Sequence, residues 1–335
     1  MYWLWYLVPV PVLALSLLMG PAGGVSFADV AGWFFERAGG FPTPALADGA
    51  GRDLVGAVLL DVRLPRALLA FLVGAGLTVS GAALQAVARN PLVSPDILGL
   101  SAGAACGAAL ALTTPGLPLQ PTAFALGLAA AGLSYALAAT RRGVSPVSLV
   151  LAGVVVAGVF TALLTAVQIT ADPFKLQTIV HWTMGNLHNA SWAKVHSAAP
   201  PVILGVLALV VLRWRLNVVA LGDEETRAVG LTPGREKLSV LVPAALAATG
   251  ATAVAGVIAL VGLAVPHMAR LLVGADNRRL IPVSAVFGGS FLVLVDTAAR
   301  SVTAFEVPVG LFTTLIGGPF FLCLLRRSAA QYFGE

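Results

Sequence analysis

Residues 97–140 read ILGLSAGAACGAALALTTPGLPLQPTAFALGLAAAGLSYALAAT, 44 positions without one charge. One helix of that length would be about 66 Å long, more than twice the roughly 30 Å of bilayer hydrocarbon. The stretch is therefore two spans, broken at the proline-rich turn Thr113-Thr-Pro-Gly-Leu-Pro-Leu-Gln-Pro121. Charge-free runs recur along the chain at Met1–Ala28, Ala67–Ala88, Gly143–Ala171, Leu238–Pro266 and Val307–Leu325. Two more, at 196–212 and 282–299, are interrupted only by a His and an Asp. Gly262–Val273 holds Pro266 and suits a short or broken helix. The reading is all-α and polytopic, with about ten transmembrane helices at 3–20, 67–88, 95–113, 121–140, 146–169, 195–213, 239–259, 262–274, 281–300 and 308–325.

Composition agrees. Lys and Arg number 20 and Asp and Glu 15, about 10% of 335 residues, where a soluble domain carries roughly 25%. That excludes a water-soluble globule, and 58% hydrophobic residues exclude a disordered chain. Two cysteines, Cys106 and Cys323, exclude a disulfide scaffold. No segment outside the membrane can fold alone, the longest being about 22–62, so residues 1–335 form one transmembrane domain. With the N-terminus inside, Arg37, Arg52, Arg63, Arg66, Lys175, Lys194 and Arg300 lie outside and the other thirteen of the 20 basic residues lie inside. The positive-inside rule thus places both termini in the cytoplasm. The opening Met1-Tyr-Trp-Leu-Trp-Tyr lacks the basic region of a signal peptide and reads as an aromatic anchor.

The polar segments are short and specific. Arg89-Asn-Pro-Leu92 stops the second span at Pro91, and Ser94-Pro95-Asp96 restarts a helix with a cap, a proline and an acid. The turn between them is rigid, and by default such a turn is a connector. Asp172-Pro173 opens a surface helix that Gly185 stops. His181, His188 and His196 lie near it at spacings of seven and eight, which lack a compact metal-ligand motif. Gly99, Gly103 and Gly107 share a face, read as static packing, with Cys106 beside it. Arg63 and Arg66, on their own, read as arginines snorkelling to the outer interface.

The largest cytoplasmic loop, Arg213–Lys237, carries acids at a helix start (Asp223), a stop (Gly230) and a second start (Thr232-Pro233). Two short helices over 222–237, with Leu221, Val229 and Leu231 as apolar points, make a protrusion suited to docking a partner. No G-x-x-x-x-G-K-[ST], H-E-x-x-H or G-x-S-x-G occurs, so neither phosphate-loop nor common membrane-enzyme chemistry is present. Asp296 is the one ionisable residue expected mid-span, with Arg300 a turn away to pair with it.

From about residue 55 onward the chain resembles the permease subunits of type II ABC importers, which take up iron–siderophores, haem and cobalamin. The matching motifs are Arg63-Leu-Pro-Arg66, Ser80-Gly-Ala-Ala-Leu-Gln85, Arg89-Asn-Pro-Leu92 with Leu98-Gly-Leu-Ser-Ala-Gly103, and Leu151-Ala-Gly153. They continue with Trp182-Thr-Met-Gly185, Leu221-Gly222 and Val229-Gly-Leu231, Gly262-Leu-Ala-Val-Pro-His-Met-Ala-Arg270, Asp296 and Arg300, Glu306-Val-Pro308 and Gly317-Gly-Pro319.

The resemblance implies the type II importer permease fold and a homodimer with the path between its copies. It implies two cytoplasmic ABC ATPase subunits, which carry the ATP and Mg. They would dock on coupling helices at 222–237 through Leu221, Gly222, Asp223, Val229, Gly230 and Leu231. It implies a periplasmic substrate-binding protein whose acidic lobes meet Arg63, Arg66 and Arg300, and a cytoplasmic gate at Asn90, Pro91 and Leu92. The start of the fifth span also lines the path, and Ser145-Pro146 stands there without an assigned gating role. A bacterial inner-membrane location, contact with lipid, no directly bound cofactor or metal and no nucleic-acid partner complete the expectation. Iron–siderophore, haem, cobalamin and oxyanion substrates stay open, as does an ion-coupled secondary transporter of another class.

Overall fold

A computed structural model of the chain describes residues 2–19, 26–37, 39, 49–140, 143–302 and 307–319. Cys323, Arg141, Arg142, Arg326, Arg327, Glu306 and the far part of the expected tenth span lie outside the described residues.

A 3-10 turn at Tyr2–Leu7 leads into α1 (Pro9–Leu18). Then follow α2 (Phe27–Arg37) and α3 (Gly49–Ala57), which runs through a π turn at Val58–Arg63 into α4 (Leu64–Ala88). Next come α5 (Leu100–Thr113), α6 (Leu119–Ala138), α7 (Pro146–Thr170), α8 (Pro173–Thr183) and α9 (Trp192–Leu221). The chain continues with α10 (Asp223–Ala228), α11 (Pro233–Ala255), α12 (Val261–Val273), α13 (Asn277–Val302) and α14 (Val309–Pro319). Among the described residues six apolar helices are long enough to cross a membrane and four shorter ones accompany them, in keeping with about ten.

α4 is the axis. In the continuous helix Asp53–Ala88 the apolar stretch is 83% buried, against 22% for α7 and 28% for α9. The reason lies in its small residues. A Cβ at Gly81 would overlap the carbonyl oxygen of Gly262, so bare backbone is what lets α12 lie against α4. In lipid such close approach supplies the packing that the hydrophobic effect cannot. Around α4 stand α13, α11, α9 and α12, while α5, α6 and α7 pack against one another and α11 touches α6.

Polar groups fix the ends. Asp172 Oδ1 accepts from the Phe174 and Lys175 amides, each at 3.1 Å, and so caps α8 as its position predicts. Gly185, at φ +69°, ends it through the left-handed region. Ser145 Oγ accepts from the Ser148 amide at 3.0 Å and caps α7. The backbone between α11 and α12 is irregular, with Gly256 and Ile258 buried and the residues between and after them half-buried.

Two expectations need correction. Ser94-Pro95-Asp96 does not start the third span directly. It makes a 3-10 turn at Pro95–Leu98, and Gly99 at φ +74° redirects the chain into α5. The second short helix at 232–237 is not separate either. Pro233 opens α11 at a position where its missing N–H is not needed, and the helix continues through Pro243 to Ala255.

Candidate functional site

One end of the bundle carries the turn expected to act as a gate and the helix expected to dock a partner. Arg89 takes a left-handed conformation (φ 52°) to end α4. Asn90 Oδ1 accepts from the Leu92 amide at 2.9 Å, and Asn90 O accepts from the Val93 amide at 3.3 Å, so the side chain and backbone of Asn90 wind the turn. Asn90, Pro91 and Leu92 are exposed, and Val93 is buried beneath them. Gln85 holds the turn from inside: its Nε2 donates to Val93 O at 3.3 Å and to Leu263 O at 3.4 Å, and its Oε1 accepts from Arg270 Nη2 at 3.0 Å. Asp96 accepts from the hydroxyls of Ser94 and Ser101 and closes the 3-10 turn.

The Arg89 side chain reaches the start of α10: a Cβ on Gly222 would come within 3.2 Å of its Nη1. The Thr226 hydroxyl is buried and donates to Gly222 O and Val218 O, which seats α10 on the end of α9. Gly230, at φ +80°, turns the chain back toward α11. This folding leaves Leu221 and Val229 on the outside, 66% and 59% exposed. Asp223 is fixed by Lys237, Nζ to Oδ1 at 2.7 Å. Nearby, Asn217 Nδ2 donates to Asp276 Oδ1 at 2.6 Å, and Asn217 Oδ1 accepts from the Asn277 amide at 2.8 Å, tying α9 to the start of α13. That hydrogen bond, with one from the Arg278 amide, holds the Asp276 carboxyl below its ordinary range.

The opposite end corrects the sequence reading. Arg63, Arg66 and Arg300 do not form an exposed patch: they are 1%, 6% and 4% exposed. Arg66 grips Asp296 with Nε and Nη2, at 3.0 and 2.9 Å. Arg300 Nε lies 3.8 Å from the same carboxylate, so the expected local pair is the weaker half of a triad. Arg63 Nη1 donates to Leu17 O at 2.8 Å, and Arg300 Nη2 donates to the backbone and hydroxyl oxygens of Ser16. The last carbonyls of α1 lack helical partners, and these two guanidiniums supply them. The residues of α1 are charge-free, so no pattern in the sequence marks this contact. The His181 and His188 rings stack at 5.3 Å, Trp192 stacks with His196, and among the described residues no His, Cys, Asp and Glu group could hold a metal.

The six-residue α10 projects from one end of a bundle of long apolar helices, the build of a membrane-spanning protein. The chain belongs to the FecCD transport family, whose model matches residues 8–327. It is 42% identical over 299 residues to the cobalamin import system permease BtuC of Halobacterium salinarum, covering 86% of this chain and 80% of that one. It is 39% identical over 271 residues to an iron chelatin transport system permease of Helicobacter pylori, covering 81% and 83%. A solved ABC transporter described as of metal-chelate type, in an inward-facing conformation, superposes with a TM-score of 0.82 at 32% identity, over 97% of this chain and 98% of the other.

Proposed function

We propose that this chain is the permease of a binding-protein-dependent ABC importer that moves an iron chelate or cobalamin into the cytoplasm. Two copies enclose the path, and each docks one ATPase on α10. The observation that carries this reading is the build of α10. A six-residue helix is seated by a buried hydroxyl, pinned by an ion pair, and flanked by the outward Leu221 and Val229, with the Arg89 side chain from the turn at its start. An ATPase that grips those side chains bears on the turn at the same time. The relatives named for cobalamin and for iron chelatin support the substrate class. The end carrying α10 then faces the cytoplasm of a bacterial inner membrane, and a periplasmic binding protein meets the end carrying α8. Arg63, Arg66 and Arg300 serve that outer end by holding α1, α4 and α13 together rather than by presenting free charge. An ion-coupled mechanism would use a membrane carboxylate free to bind its ion, whereas Asp296 is held by Arg66 and Arg300.

The test is the double substitution Val229→Asp and Leu231→Asp. A carboxylate pressed into an apolar contact costs several kcal/mol unless neutralised, so the permease should insert normally and lose its ATPase on purification. Co-purification at wild-type yield with normal uptake of cyanocobalamin or a ferric hydroxamate would refute the assignment. Cysteines at Asn90 or Leu92 test the path separately. In a background lacking Cys106 and Cys323 they should crosslink the two copies, because a two-fold axis brings the same turn to itself. Crosslinking at 141 but never at 90 or 92 would place the gate elsewhere.

A further inference from the structure

Lys237 is one of only three lysines in the chain, and it is 3% exposed. Its ammonium joins three elements. From its position on the second turn of α11, Nζ donates to Val144 O at 2.8 Å and to Asp223 Oδ2 at 2.9 Å, with Asp223 Oδ1 at 2.7 Å. Asp223 is the first residue of α10. Val144 immediately precedes Ser145, the N-cap of α7. A single buried charge therefore connects the projecting helix to the first turn of a long span, through two bonds that no apolar side chain could make.

The location gives this tie its significance. Only 22% of the apolar stretch of α7 is buried within the chain, the lowest share among the long spans, and Val147, Val154, Val155 and Val159 all face outward. By contrast α4, α11 and α13 are 67–83% buried and are locked in place. α7 is held on one face, by α5, α6 and the Pro95–Leu98 turn, and the Val144 carbonyl is where the Lys237 tie from α10 reaches its start. Charge-assisted hydrogen bonds are short, directional and roughly twice as strong as neutral ones. A buried ammonium also cannot let go of one partner without losing solvation that water is not there to replace. The link is thus stiff, and a push on α10 arrives at the α7 N-cap instead of being absorbed in a side chain.

We propose that Lys237 is the positioning residue that transmits movement of α10 to the start of α7. The inference rests on α10 being where the ATPase docks, and it adds the route by which docking reaches a span. It also explains why the second short helix is fused to α11. Lys237 must sit on a rigid rod to hold Asp223 and Val144 O at once.

The experiment uses the permease–ATPase complex in proteoliposomes, with Val147→Cys as the reporter in a background lacking Cys106 and Cys323. Its rate of labelling by a water-soluble maleimide is measured without nucleotide and after trapping with ATP and vanadate. With Lys237 present the two rates should differ. Lys237→Met should bring their ratio to unity while the complex still assembles and hydrolyses ATP. Lys237→Arg, whose guanidinium can hold both partners, should restore the difference, and Lys237→Gln should give a smaller one. Should the Met variant fail to assemble, the Gln and Arg pair carries the test. A wild-type nucleotide response in the Met or Gln variant overturns the proposal. So does the absence of any response with Lys237 in place, or loss of the ATPase from all three variants, which would make Lys237 a docking residue. Failure of the underlying reading looks different: there the Val229→Asp, Leu231→Asp permease keeps its ATPase.

Discussion

Arg66→Glu separates an exposed docking arginine from a structural one. In the structure Arg66 is 6% exposed and its fork lies on Asp296, itself 1% exposed, with Nε and Nη2 both near 3 Å. Reversal removes that bidentate pair and sets a second carboxylate against the first in a buried site. Breaking a buried pair from one side costs about 3–5 kcal/mol, because the abandoned charge stays buried, and the added repulsion places this variant at the upper end. Arg300 at 3.8 Å from Asp296 offsets a small part. For a chain of this size about 4 kcal/mol corresponds to a fall of roughly 6 °C in melting temperature. The assay is thermal unfolding of detergent-solubilised permease followed by size-exclusion of a fluorescent fusion. Asp296→Ala should fall by a similar amount, since it takes the carboxylate from the buried Arg66 fork, while Arg66→Met with Asp296→Leu should recover most of the loss. If Arg66→Glu melts within about 2 °C of wild type, the burial argument is wrong and the arginine is at the surface.

Three other outcomes follow from the geometry. Gln85→Leu removes the donor to Val93 O and Leu263 O and should cost about 1–3 kcal/mol, with faster amide exchange confined to residues 89–94; unchanged exchange there would show that the turn holds itself. Gly81→Ala places a Cβ on the Gly262 carbonyl and should destabilise by about 1–3 kcal/mol, whereas Gly132→Ala, with open space around it, should be neutral or slightly stabilising; equal melting of the two would refute the close α4–α12 approach. The Asp276 carboxyl is lowered from its ordinary value of 3.8, so its tie to Asn217 stabilises the fold above that pH and is lost as pH falls through the lowered value. Asp276→Asn should therefore remove part of the acid sensitivity below pH 3.8 and leave the wild type more stable near neutrality; identical acid profiles would exclude the carboxylate as a contributor.

Membrane insertion depends on the transfer of each segment into lipid, which is a local property. The ten apolar helices, the break at Thr113–Pro121, the cap at Asp172 and the stop at Gly185 were therefore readable along the chain. So was α10, because acids at its start and Gly230 after it act over single turns. What the chain alone could not assign were partners far apart in number. Arg66 and Asp296 are separated by 230 positions, Lys237 and Val144 by 93. A charge near a span end reads as an interfacial anchor until the fold shows a carboxylate or a helix end waiting for it. The carbonyls of α1 that receive Arg63 and Arg300 belong to the backbone, which has no sequence signature. Whether an arginine meets water, lipid or another helix is settled by which surfaces α4 and α13 bury, and burial exists only once the helices have packed.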